Sequence, residues 1–268
     1  VDFDSLIPGV QTGKYDFAAA GMTVTDERLE QVSFTQSYAT GIQSIIVAAD
    51  SEITDIDMLL AGDYKVGVQS GTTGESFLKG DADWGFDGIE GYQSKGYSNG
   101  GLAVNDMKNG AVKYVIIDEQ PAKQLVKKID GVKVIDVALT EEEYAFGIDK
   151  DQPELLEDVN AFIAKIMEDG TFDEICNKYF GDGEPTAVKS AVEDPSKDQL
   201  IVATNAAFAP FEYMEGDSYY GIDMEIAALL AEELGKELVI NNMKFDSVCL
   251  SVGEHKCDIA MAGLTVNE

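Results

Sequence analysis

Four groups of residues have the types and spacing to hold a small zwitterion. The stretch GVQSGTTGES, residues 67–76, follows an apolar run with small residues and opens a helical pattern. A turn of that kind offers an anion a nest of N–H groups around Gly71, Thr72 and Thr73, although G-T-T-G also suits any tight strand-to-helix turn. Asp118 ends the apolar run YVIID, just ahead of a helix opened by Pro121. Its carboxylate either caps that helix or points across the carboxyl edge of a sheet, where α/β folds bind ligands. Arg28 follows AGMTVTDE and either clamps a carboxylate or pairs on the surface with Glu27 or Glu30. Phe208 and Phe211 in TNAAFAPFEY, with Phe3 or its counterpart Phe245, form either aromatic walls or core. A free amino acid asks for this set: donors for its carboxylate, a buried carboxylate for its ammonium and a closing pocket for its side chain.

Enzyme signatures are missing by comparison. There is one histidine, His255, and the sequence has no G-x-S-x-G, P-loop, H-E-x-x-H or G-x-G-x-x-G after a strand. Hydrolytic triads and zinc sites lose their support, and no cofactor is implied. His255 stands at a turn where a solvent-exposed side chain is expected. The cysteines, Cys176, Cys249 and Cys257, form no C-x-x-C pair and no metal-ligand spacing.

The elements that must position these residues belong to an ordinary soluble composition, 45% hydrophobic and 26% charged over 268 residues. A net charge of −31 repels nucleic-acid phosphates and anionic lipid headgroups, which excludes those partners. No run approaches the roughly 20 apolar residues of a membrane span. The opening VDFDSLIPGV has neither the basic start nor the apolar stretch of a signal peptide, so an export signal or anchor is expected outside this sequence.

Short β-rich runs alternate with helical patterns, the sign of α/β units around parallel strands. Strands are expected at 42–48, 65–68, 114–117, 133–137, 144–148, 200–204 and 237–241. Helices are expected at 4–12, 74–80, 100–109, 119–128 and 223–234, with two more between 153 and 180. In GIDMEIAALLAEELG, residues Ile226, Leu229, Leu230 and Leu234 form one stripe and Gly235 a stop. Residues 3–26 align without gaps on residues 245–268 with 11 of 24 positions identical, each copy a short helix, a turn and a strand ending in A-G-x-T-V. The divergence of the copies implies two related domains in tandem, with this sequence starting midway through one and ending midway through the next. Between them GDGEPTAVKSAVEDPSKDQ, residues 181–199, has two prolines and no apolar periodicity and reads as a linker.

In the order 198–268 then 27–180, the sequence resembles the bacterial polar amino-acid-binding proteins that serve ABC importers. LIVATNAAFAPFEY, GIDMEIAALLAEELG and EICNKYFG carry the resemblance, and the most specific stretch is AGMTVTDERLEQVSFTQSY, residues 20–38. It implies a two-lobe α/β periplasmic-binding-protein fold of type II, circularly permuted or domain-swapped. Residues 1–41, 146–180 and 198–268 would form lobe 1, residues 42–145 lobe 2 and residues 181–197 the linker. It also implies that Arg28 clamps the α-carboxylate with Gly21, Thr23, Thr72 and Thr73, that Asp118 takes the α-ammonium and that Phe208 and Phe3 flank the side chain. Asn205 and Gln69 would tune selectivity. Asn205 stands where relatives for cationic ligands carry Asp, and Gln69 is neutral where some glutamine binders carry Lys. A glutamine-like ligand is expected first and a basic amino acid second. The implied partner is an ABC permease, in an extracellular or periplasmic protein tethered to the membrane, with domain-swapped self-association as an option. The rivals are a receptor's sensor domain and an enzyme similar to cyclohexadienyl dehydratase.

Overall fold

The fold was read from a computed structural model, which describes residues 32–60, 65–82, 85–248, 250–253 and 255–266. The chain divides into two compact units, one of residues 40–143 and the other of the flanking segments up to 39 and from 144. The expected helix 4–12 and the first repeat copy lie outside the described residues.

After β1 (Val32–Phe34) the chain enters the inserted unit at β2 (Ala39–Gly41) and leaves it at β8 (Glu142–Tyr144). Between them come β3 (Gln43–Ala48), α1 (Ile56–Leu60), β4 (Lys65–Gln69), α2 (Thr73–Lys79), β5 (Gln93–Tyr97), α3 (Gly100–Lys108), β6 (Tyr114–Asp118), α4 (Glu119–Lys128) and β7 (Val132–Ile135). Five strands form a sheet in the order β5-β4-β6-β3-β7, with β4 parallel to β5 and β6 and β3 antiparallel to β6 and β7. The period of two is read directly in the packing. Ile45, Val47, Tyr114 and Ile116 join Leu78 of α2 in one core, whereas Ile46, Val115 and Ile117 join Ala103, Val104 and Met107 of α3 in another. Covered on both faces, QSIIVA is an almost uninterrupted buried run, as central strands of such sheets are. Asn99 caps α3 by accepting from the Leu102 N–H at 3.0 Å.

The other unit continues with β9 (Gly147–Asp149), α5 (Pro153–Glu168), α6 (Thr171–Phe180), β10 (Gln199–Thr204), β11 (Ala207–Phe208), β12 (Glu212–Glu215), β13 (Ser218–Tyr220), α7 (Ile222–Glu233) and β14 (Glu237–Asn242). It closes with α8 (Phe245–Val248), α9 (Leu250–Gly253), β15 (Ile259–Ala260) and β16 (Thr265–Val266). Its main sheet runs β1-β9-β15-β10-β14, with β10 parallel to both β14 and β15. The second repeat copy thus supplies an interior strand: Ile259 pairs with Val202 on one side and Ile148 on the other. Helix α7 buries Ile226 and Leu230 as its stripe requires, but Asp223 and Glu225 are buried too.

One expectation is corrected. The single strand 144–148 is two strands, because the Ala145 N–H bonds the Leu264 carbonyl and the Phe146 N–H bonds Thr35 Oγ1, turning the chain from one sheet to another. The linker holds no helix or strand, yet it is fixed on this unit. Val188 is buried and exchanges both backbone hydrogen bonds with Tyr219 (2.8 and 2.9 Å), the Ala191 N–H bonds Leu238 O, and Ser190 Oγ accepts from Ile240. Anchors of one residue at a time leave no period in a sequence.

Candidate functional site

In the inserted unit the candidate residues gather at one sheet edge. Strands β4 and β6 are parallel neighbours, with Val68 opposite Ile116, so their carboxyl ends lie side by side and each leads into a helix. Gln69 closes β4, Gly71 turns the chain at φ +78°, and Thr72 and Thr73 open α2. Asp118 closes β6 at the head of α4. Both sequence-predicted elements of this unit, the Gly71–Thr73 turn and Asp118, therefore share one carboxyl edge, the place where open α/β sheets bind ligands.

The turn already uses part of its donor set. The Gly71 N–H is bonded by Glu75 Oε2 at 2.7 Å, and Thr72 Oγ1 donates to the Gln69 carbonyl at 3.0 Å. An incoming carboxylate has to compete with Glu75 for Gly71, and Lys79 balances Glu75 at 2.9 Å. Thr73 is buried at the first turn. Asp118 is 7% exposed and, although it occupies the capping position of α4, its side chain makes no capping bond. The carboxylate at the head of α4 is therefore not serving as that helix's cap.

In the other unit the parallel strands β10 and β15 also end side by side. Asn205 follows β10 and donates from Nδ2 to the Met243 carbonyl at 2.6 Å. The chain after β15 reaches Gly263, at φ +57°, where a Cβ would stand 2.8 Å from the Phe208 ring. Phe208 is 8% exposed and stacks on Phe211 at 6.0 Å, and Phe245 is 5% exposed, so the aromatic groups read as walls are largely packed within the unit. Arg28, Thr23, Gly21 and Phe3 lie outside the described residues.

Sequence reasoning missed the group that fixes this loop. Asp223, fully buried, accepts from the Gly263 N–H at 3.0 Å and from the Tyr38 hydroxyl at 2.7 Å. Its signal was only that of a charged residue opening α7. Burial lifts the Asp223 carboxyl from 3.8 to about 7, while the two hydrogen bonds pull it back. Across that window the native state keeps a proton that the unfolded chain has released. Stability therefore falls as pH rises toward 7 and levels off above it. Denaturation at pH 5 and pH 8 should show this fall, and Asp223→Asn should remove its share, on the order of 2 kcal/mol. An identical pH slope in the variant would mean that the carboxyl titrates normally.

His255 takes a left-handed backbone, φ +49°, where the first repeat copy carries Gly13, and its exposed ring bonds Asp149 at 3.2 Å. Among the described residues no group of His, Cys, Asp and Glu is arranged to hold a metal ion, and no helix is long and apolar enough to cross a membrane.

The sequence matches the bacterial extracellular solute-binding proteins, family 3, over residues 1–182 and 200–268. It is 30% identical over 183 residues to the ABC transporter arginine-binding protein 1 of Escherichia coli (strain K12), covering 66% of this chain and 71% of that protein. It is 31% identical over 185 residues to the histidine-binding periplasmic protein of Salmonella typhimurium, covering 66% and 69%. Among solved structures, an ancestral arginine-binding protein bound to glutamine is 36% identical with a TM-score of 0.55, covering 68% of this chain and 78% of the other.

Proposed function

This chain belongs to the bacterial extracellular solute-binding proteins, family 3, and from that premise we propose that it captures a free polar amino acid for an ABC importer. Such proteins share the type II periplasmic-binding fold seen in the ancestral arginine-binding protein. The observation that carries the reading is the shared edge of β4 and β6, where the Gly71–Thr73 turn and the buried Asp118 meet the opposite charges of a zwitterion. Asp118 takes the ammonium; Thr72 and Thr73 help with the carboxylate. Arg28, the only arginine in the sequence, supplies the guanidinium that the carboxylate requires, and Gly21 and Thr23 are assigned to the same carboxylate.

Asn205 and Gln69 give a neutral, polar surround, which favours a glutamine-like ligand, with a basic amino acid second. The relatives named for arginine and histidine, and the ancestral arginine-binding protein bound to glutamine, support this pair of choices. The captured amino acid is then handed to an ABC permease. The protein works outside the cytoplasm, tethered to the membrane, and releases its ligand unchanged.

Residues 198–266 complete the sheet of β1 and β9, which supports a circularly permuted domain; donation of the segment 198–268 to a neighbouring chain would instead give domain-swapped self-association. A thermal-shift screen against the twenty amino acids tests the function, because a ligand of the native state alone raises its stability. Glutamine or arginine at a hundredfold excess over Kd should stabilise by about 2.7 kcal/mol. No shift with any amino acid sinks the reading, and turnover of prephenate would replace it with a dehydratase.

A further inference from the structure

Gln43 opens β3 with a side chain that is 1% exposed, and neither Oε1 nor Nε2 has a hydrogen-bond partner among the described residues. A buried amide with every bond unmade is an exception that calls for a reason. Packing does not supply one. Its neighbours include Gly74 of α2 and Ile116 of β6: a Cβ on Gly74 would stand 2.9 Å from Oε1 and 3.0 Å from Ile116 Cγ2. Methionine would fill the same volume without polar atoms, and the glycine that makes room for the amide sits inside a helix, where glycine is unfavourable. The Gln43 backbone is meanwhile fixed, its N–H on Thr140 Oγ1 at 3.1 Å and its carbonyl on the Leu139 N–H at 2.9 Å.

The register places this amide at the site. Gln43 is directly opposite Asp118 on the antiparallel ladder, and the flanking bond from the Glu119 N–H to the Ile42 carbonyl, 2.8 Å, makes the two a non-hydrogen-bonded pair. Side chains of such a pair are close and on one face of the sheet. Gln43 therefore stands beside both halves of the edge described above: the carboxylate of Asp118 and the start of α2.

We propose that Gln43 is a further recognition residue of this edge, resting on the reading of the protein as an amino-acid receptor. On binding, a rotation of its side chain lets Nε2 donate to the Asp118 carboxylate and Oε1 accept from the ligand ammonium. An amide suits that double task because it carries both a donor and an acceptor. The unmade bonds of the free protein are then satisfied in the complex, so Gln43 costs stability without ligand and contributes affinity with it.

The test is isothermal titration of the full chain and its Gln43→Met variant with L-glutamine and with L-arginine, together with the melting temperature of each without ligand. The variant should bind at least tenfold more weakly and melt higher than the wild type. A residue kept for packing gives neither change, and equal affinity within twofold overturns the proposal. Should Gln43→Met fail to fold by circular dichroism, Gln43→Leu is judged by the same criterion. In the wild type the Gln43 side-chain NH2 resonances should also shift on adding the bound amino acid, and unmoved resonances count against the role. A wild type that binds neither amino acid overturns the receptor reading itself; a wild type that binds, with a variant that binds equally, overturns only the role of Gln43.

Discussion

Asp118→Asn is expected to weaken amino-acid binding by a factor on the order of a hundred or more while leaving the melting temperature of the free protein within a few degrees. The change conserves volume and removes one charge. Losing one partner of a buried, hydrogen-bonded charge pair costs about 2–5 kcal/mol, much of it from stranding the other charge. Asp118 has the burial for this effect at 7% exposure, and its side chain makes no capping bond to α4 whose loss would confuse the result. Titration with L-glutamine and L-arginine reads the affinity, and a matching des-amino acid serves as control because it has no ammonium to lose. If the variant binds normally but melts lower by the equivalent of about 1 kcal/mol, Asp118 contributes a structural hydrogen bond and no more.

The largest effect on folding is expected from Gly221→Ala. Gly221 has φ +125°, far from where residues with a side chain are comfortable, and a Cβ there would overlap the Phe211 carbonyl. The overlap is with backbone, so no rotamer change relieves it. The neighbourhood is pinned from both sides: the Ile222 N–H bonds Pro210 O, the Asp223 N–H bonds Phe211 O, and the Gly221 N–H bonds the Tyr179 hydroxyl. A loss of more than about 4 kcal/mol is expected, the range reserved for such failures of backbone or core. Gly216→Ala is the control, since its φ is +60° with nothing within 4 Å of the added carbon. It should cost only about 1–2 kcal/mol. Urea denaturation of both variants decides; similar losses would mean that the close approach at Gly221 relaxes freely. Because Asp223 follows two residues later, this junction also sets where the carboxylate meets Gly263.

What was legible in the sequence was whatever has a local period. Strands β3, β4, β6, β10 and β14 and helices α3, α4 and α7 fall within one or two residues of the expected positions, because the strands are short apolar runs and the helices' apolar residues repeat near 3.6. Strand β5, QSKGY, is polar and partly exposed, and becomes a strand only by lying along β4. The β11–β13 sheet is likewise made by pairing, Tyr213 with Tyr220, and not by composition. The candidate site divides the same way. Asp118 and the Gly71–Thr73 turn were visible from their position after apolar runs. Gln43 and Asp223 were not, since one reads as the polar first residue of a strand and the other as an acid at a helix start. Their meaning depends on a partner far along the chain: Asp118 opposite Gln43, and Gly263 bonded to Asp223.

The fastened segment from Gly181 to Gln199 has a consequence for handling the protein. Proteases cut where several consecutive residues can leave the surface together. Here Lys178 and Tyr179 ahead of the segment, and the Thr186 N–H within it, are tied to Glu225, and Gln199 bonds the Asp194 N–H and the Val192 carbonyl. The exposed Val192 thus sits between clamps. A stretch whose composition invites nicking is a strap without slack, and trypsin reaching Lys189 first has to peel Val188 out of the core.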